Sequence, residues 1–189
     1  YLDLADPTPT TGDGHGSKVT ELTNGNVVVA SQNDDFGATD AGAAYLYNGK
    51  TGALISALYG STASDKVGSG GVTALSNGNY VVRSNQWNQD ATVTKVGAVT
   101  WGSGTAGVSG TVSAANSLVG STKDDQVGDF GVSALSNGNF VVVSTLWDKA
   151  GVADVGAVTW GHGATGITGA VTYTNSLVGS TSNDKVGSG

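Results

Sequence analysis

Few side chains in this sequence carry reactive chemistry, and most of those recur at intervals. The densest acidic group is Asp34, Asp35 and Asp40. Three carboxylates so close together are candidates for a weak Ca2+ site, set against the plainer reading that each accepts local backbone N–H bonds in a turn. Later counterparts read Asn88-Gln89-Asp90 and Asp148-Lys149, so any such site belongs to one place in the chain. Asp65, Asp125 and Asp184 stand at equivalent points, and recurrence at each of them argues for backbone locking rather than catalysis. Trp87, Trp101, Trp147 and Trp160 fill two equivalent positions twice. Exposed, such rings stack on sugars; buried, each covers about 200 Å2 of core. Their periodic placement at strand ends favours packing; as ligand platforms, Trp87 and Trp147 are the candidates, since each borders a variable polar loop. The two histidines, His15 and His162, each lie between glycines, with no local carboxylate and nucleophile to complete a Ser-His-Asp arrangement. The Gly-rich stretch 161–169 lacks the Lys of a phosphate-binding loop. No residue is assigned to catalysis, and no metal or cofactor is expected.

The bulk composition narrows the partners. A net charge of −7, with eight Lys and Arg over 189 residues, disfavours nucleic acid, whose binders cluster basic side chains. No apolar run approaches the length of a membrane-spanning helix. The absence of Cys removes disulfides and thiolate chemistry without naming a compartment. With 31 Gly and two Pro among many Val, Ser, Thr and Asn, the composition suits short strands joined by tight turns.

Internal repetition dominates the chain. GVTALSNGNYVV at 71–82 returns as GVSALSNGNFVV at 131–142, and KVTELTNGNVVV at 18–29 is a diverged copy. VGAVTWGSGTAGVSG at 96–110 returns at 155–169, with AGAAYLYNGKTG at 41–52 as the earlier form. NSLVGSTKDDQVG at 116–128 returns at 175–187, after ALYGSTASDKVG at 57–68. Asn24 to Asn77 is 53 positions and Asn77 to Asn137 is 60, so the first unit is the shorter. The organisation that follows is 1–16 as the end of a preceding repeat, then repeats at 17–68, 69–128 and 129–187, with 188–189 opening a further one. The chain therefore reads as a piece of something longer.

Each unit holds four strand candidates, in the second unit Val72–Leu75, Tyr80–Ser84, Val96–Trp101 and a fourth near Gly110–Ser113 or Asn116–Val119. Asn-Gly at 24–25, 77–78 and 137–138 predicts hairpins with type I′ turns. The second and third strands are apolar almost without alternation, which predicts burial on both faces. The stretch Thr111–Val119 alternates and predicts a half-exposed outer strand. The expected fold is all-β, a row of four-stranded antiparallel blades as in a β-propeller or part of one, with a β-solenoid as the alternative.

Asp34-Asp35-Phe36-Gly37 and Asp40-Ala41-Gly42-Ala43-Ala44-Tyr45-Leu46-Tyr47 resemble the FG-GAP repeats of integrin-type propellers. Asp13-Gly14-His15-Gly16 and Asp125-Gln126-Val127-Gly128 sit where that family places its Asp-x-Phe-Gly turn. The later units look like repeats of large bacterial surface and haemagglutinin-like exoproteins. The resemblance implies an extracellular or cell-surface protein with an adhesive or structural role. Its calcium loop is not carried over, because the Asn-Gly hairpin has no room for six to eight oxygen ligands. The expected function is a non-catalytic structural or adhesive module that docks on copies of itself, head to tail, or on flanking repeats. Leu2, Leu4 and Val186 are expected at such contacts. A carbohydrate-binding propeller with surface glycans as partners is the alternative.

Overall fold

The computed structural model describes residues 3–189, so Leu2 lies outside the described residues. The strands in chain order are β1 (Lys18–Glu21), β2 (Val27–Ser31), β3 (Ala43–Tyr47), β4 (Leu54–Tyr59), β5 (Gly71–Ala74), β6 (Tyr80–Ser84), β7 (Ala98–Gly102), β8 (Gly110–Thr111), β9 (Ser117–Val119), β10 (Gly131–Ala134), β11 (Phe140–Ser144), β12 (Ala157–Gly161), β13 (Gly169–Ala170) and β14 (Ser176–Val178). Among the described residues there is no helix. The protein is all-β, three tandem four-stranded antiparallel blades that form no closed barrel.

The first blade runs β1-β2-β3-β4, the second β5-β6-β7-β9 and the third β10-β11-β12-β14, so each unit is a meander rather than one rung of a solenoid. The blades pack face to face, which explains the unbroken apolar strands. On β6, Tyr80 and Val82 join a core with Val28, Leu46 and Leu58 of the first blade. Val81, between them, joins Phe140, Val142 and Ala157 of the third blade in a second core. Successive side chains on a strand point to opposite faces, so both faces must be apolar when a sheet lies on each side.

The tight turns differ from the expectation. Gly25 N–H donates to Leu22 O and Leu22 N–H to Asn26 O, and in this turn only Gly25 has positive φ (+83°). Gly78 and Gly138 repeat the pattern. This is a three-residue loop, a type I turn closed by a glycine bulge, and not type I′. The Asn serves the turn through its side chain, Oδ1 accepting the N–H two residues on in all three turns, and it has a second role at the contacts between blades.

The fourth strand splits in two. Ser117–Val119 completes the second blade, whereas β8 leaves it and adds in parallel to β4 of the first, pairing Leu58 with Gly110 and Tyr59 with Thr111. The third unit does the same, with β13 running beside β9. Both blades that precede another thus carry a fifth strand lent by their successor. The stretch read as a half-exposed outer strand is for this reason buried along the whole of β9. The first unit has nothing to lend: a tight turn joins β3 to β4, with Asn48 N–H bonded to Ala53 O.

Candidate functional site

The contacts between units repeat with little variation. Asn24 and Asn26 both donate from Nδ2 to Gly104 O, at 2.8 and 2.7 Å, and Asn77 and Asn79 both donate to Gly163 O at 2.8 Å. The first two hairpin turns thus each clasp a glycine carbonyl of the next unit. Trp101 is half-buried beneath the third unit and donates Nε1–H to the same Gly163 O at 2.9 Å. Arg83 donates to Gly70 O and Gly128 O, across the start of the second and third units.

Asp65 is fully buried at the junction of the first two units. Its Oδ2 accepts Ser61 and Thr62 N–H at 2.9 Å each, and its Oδ1 accepts the backbone and side-chain N–H of Asn88 at 3.2 and 3.0 Å. Asp125 repeats this with Ser121, Thr122 and the N–H of Asp148. Burial raises the pKa of both carboxyls, and the N–H bonds oppose it. Asp184 keeps the local half, accepting Ser180 and Thr181 N–H, which lower its pKa; it is exposed, and among the described residues no following unit supplies a donor.

That difference extends over the outer face of the third blade. Leu118 is 0% exposed and its counterpart Leu177 is 70% exposed. Trp160, the counterpart of Trp101, is 50% exposed. Val141, Val143 and Val158 are only partly covered, as is Val186 in the last junction. β14 carries no lent strand on its free edge, and no glycine carbonyl reaches Asn137 or Asn139 among the described residues.

Trp87 and Trp147 lie inside the two cores, each 5% exposed, and so present no ring face to a sugar. Trp87 also edges a cavity of about 500 Å3 beside Ser61, Gln89, Thr111, Ala114 and Ser121, with no ionisable side chain in its lining. His162 is exposed and accepts Ala164 N–H at Nδ1.

Asp35 and Asp40 share one turn: Asp40 N–H donates to Asp35 Oδ1 at 2.6 Å, and Lys66 pairs with Asp40 at 2.9 Å. Asp34 is separate. It is fully buried, with Tyr45 O–H donating to Oδ2 at 2.8 Å and Phe36 N–H to Oδ1 at 2.9 Å. Its surroundings come from far along the chain: one ligand atom each of Asp6, His15 and Asp34 lie within 4.8 Å of one another. Sequence reasoning weighed His15 without a carboxylate partner, because Asp6 and Asp34 reach it only through folding. One signal was present. Asp34 takes the backbone place of Trp87 and Trp147, as the bonds Asp34 N–H to Ser31 O, Trp87 N–H to Ser84 O and Trp147 N–H to Ser144 O demonstrate. A charged residue where the other units bury an indole marks a local change of purpose.

A family model described as "Repeat of unknown function (DUF5650)" matches the chain three times, over residues 21–69, 74–129 and 134–188. The three matches fall on the three blades and together span most of the sequence. Nothing among curated proteins matches the chain.

Proposed function

Since the chain belongs to the DUF5650 family of repeats of unknown function, we propose that it is a non-catalytic structural module whose third blade is built to receive a further unit of the same kind. The observation that carries this reading is the face of Trp160 and Leu177, exposed where Trp101 and Leu118 are covered by the next unit. Asp184, Asn137 and Asn139 support it, since each has half of a contact that is complete one unit earlier. The first unit of a second copy fits that face poorly, as it has no strand to lend to β14. A sixty-residue unit of the second or third type fits all of these groups at once. An adhesive role at a cell surface or outside the cell is the setting we propose. It is supported by the low charge, the repetition and the likeness to FG-GAP and exoprotein repeats.

Ser188-Gly189 match Ser69-Gly70, so residues 71–128 appended after Gly189 continue the array in frame. In that extended chain the emission of Trp160, isolated by comparison with a Trp160→Phe variant, is expected to shift to the blue, and Leu177→Lys is expected to abolish the shift. Unchanged Trp160 emission in the extended chain would sink the reading.

A further inference from the structure

The face of the first blade that in later units meets a preceding sheet is covered instead by residues 3–16. Leu4 packs there against Val29, Ala43, Tyr45 and Tyr47. Tyr47 O–H donates to Ala5 O at 2.8 Å, and Thr8 Oγ1 lies 3.2 Å from the Tyr45 hydroxyl. At the centre of this contact stand Asp6, His15 and Asp34.

Three observations single out this group. His15 Nε2 lies 3.2 Å from Leu4 O, an acceptor, so that nitrogen carries the proton. The neutral ring then presents a lone pair at Nδ1, a buried atom with no hydrogen-bond partner, 3.7 Å from Asp6 Oδ2. An imidazole that donates one N–H to a backbone carbonyl and turns its other nitrogen inward has the orientation of a metal-binding histidine. Second, the local charge is uncompensated: Asp6, Asp13 and Asp34 converge, and among the described residues no Lys or Arg pairs with any of them. Third, Asp34 holds a buried carboxylate where the equivalent units hold indoles, at the cost of apolar packing.

We infer that Asp6, His15 and Asp34 form a site for a divalent cation of the zinc class, which fastens residues 3–16 onto the first blade. One imidazole nitrogen with two carboxylate oxygens suits a borderline cation with a fourth position left for water. A hard cation such as Ca2+ prefers six or more oxygens and gains little from the imidazole. Metal–ligand bonds of about 2.0–2.2 Å place tetrahedral ligand atoms about 3.3 Å apart, so a small inward movement closes the present spacing. Asp6 and His15 lie on a segment without strands, where such movement is cheap. The inference departs from the sequence reading, which assigned no metal, and it is independent of the assembly proposed for the third blade.

The test is calorimetric titration of the whole chain with Zn2+, and separately with Ca2+, alongside visible spectroscopy with Co2+ as the substitute ion. One Zn2+ site per chain is expected, with Co2+ bands of tetrahedral coordination and no comparable Ca2+ heat. His15→Gln and Asp34→Asn are each expected to weaken Zn2+ binding by at least about tenfold, while His162→Gln leaves it unchanged. Limited proteolysis is expected to spare residues 3–16 when Zn2+ is bound. His15→Gln alters only the irregular segment, so the result stands even if Asp34→Asn fails to fold. Absence of a Zn2+ site, or binding equal in wild type and His15→Gln, overturns the inference.

Discussion

Gly97→Ala is expected to lose more than about 4 kcal/mol of stability, a large share of what a domain of this kind possesses. Gly97, just before β7, has φ +75°, a conformation that costs an L-residue about 1–2 kcal/mol. A Cβ there would also stand 2.3 Å from Val127 N and 2.6 Å from Gln126 C, which are backbone atoms of the next junction. Neither side can yield, since Gly97 N–H bonds Trp87 O, Gly120 N–H bonds Gly97 O, and Val127 N–H bonds Val96 O. Gly110 separates the two contributions. Its φ is +93° but nothing lies within 4 Å of the added carbon, so Gly110→Ala is expected to cost only about 1 kcal/mol. Urea unfolding followed by Trp fluorescence compares the two, and equal midpoints would refute the argument from close approach.

The second large effect is at the junctions. Asp65→Ala removes a buried carboxylate that accepts four N–H groups, two of them, from Asn88, fully buried, at a cost of about 3 kcal/mol. Asp184→Ala, at the exposed junction, is expected to change the unfolding midpoint little. Similar losses at the two positions would mean that the buried bonds matter less than the turn they share. The pH dependence carries a sign as well. Burial raises the folded pKa of Asp65, so folding takes up a proton between the ordinary carboxyl value and the raised one. In that window this group makes stability fall as pH rises. Asp65→Asn, which cannot ionise, is expected to flatten that slope.

The local part of this architecture was legible in the residues themselves. Asn-Gly between apolar runs marked all three hairpins, and the missing alternation in β6 and β11 marked sheets with neighbours on both sides. The failures share one cause, which is that a repeat shows what recurs and not which unit a residue serves. Gly110–Thr111 looks like part of its own blade because it recurs with it, yet it pairs with Leu58 and Tyr59 of the previous one. Asn24 does serve its own turn, Oδ1 accepting Asn26 N–H, but its Nδ2 reaches Gly104 of the next unit. For Asp34 the difficulty was alignment. Matched to the acidic and amide residues of later loops it looks like turn chemistry, and only the shared bonding of Ser31, Ser84 and Ser144 places it opposite the indoles.

The lent strands set a timetable for synthesis. Leu58 pairs with Gly110 and Leu118 with Gly169, so each outer strand emerges from the ribosome about fifty residues before its partner. At about 5–20 residues per second, a nascent blade waits on the order of three to ten seconds with one flank unpaired. The first and second blades each hold this flank open until the next blade is made. Slow codons or pauses within a unit would lengthen the wait, and the brevity of β9, three residues, limits what a neighbouring nascent chain can seize in that interval.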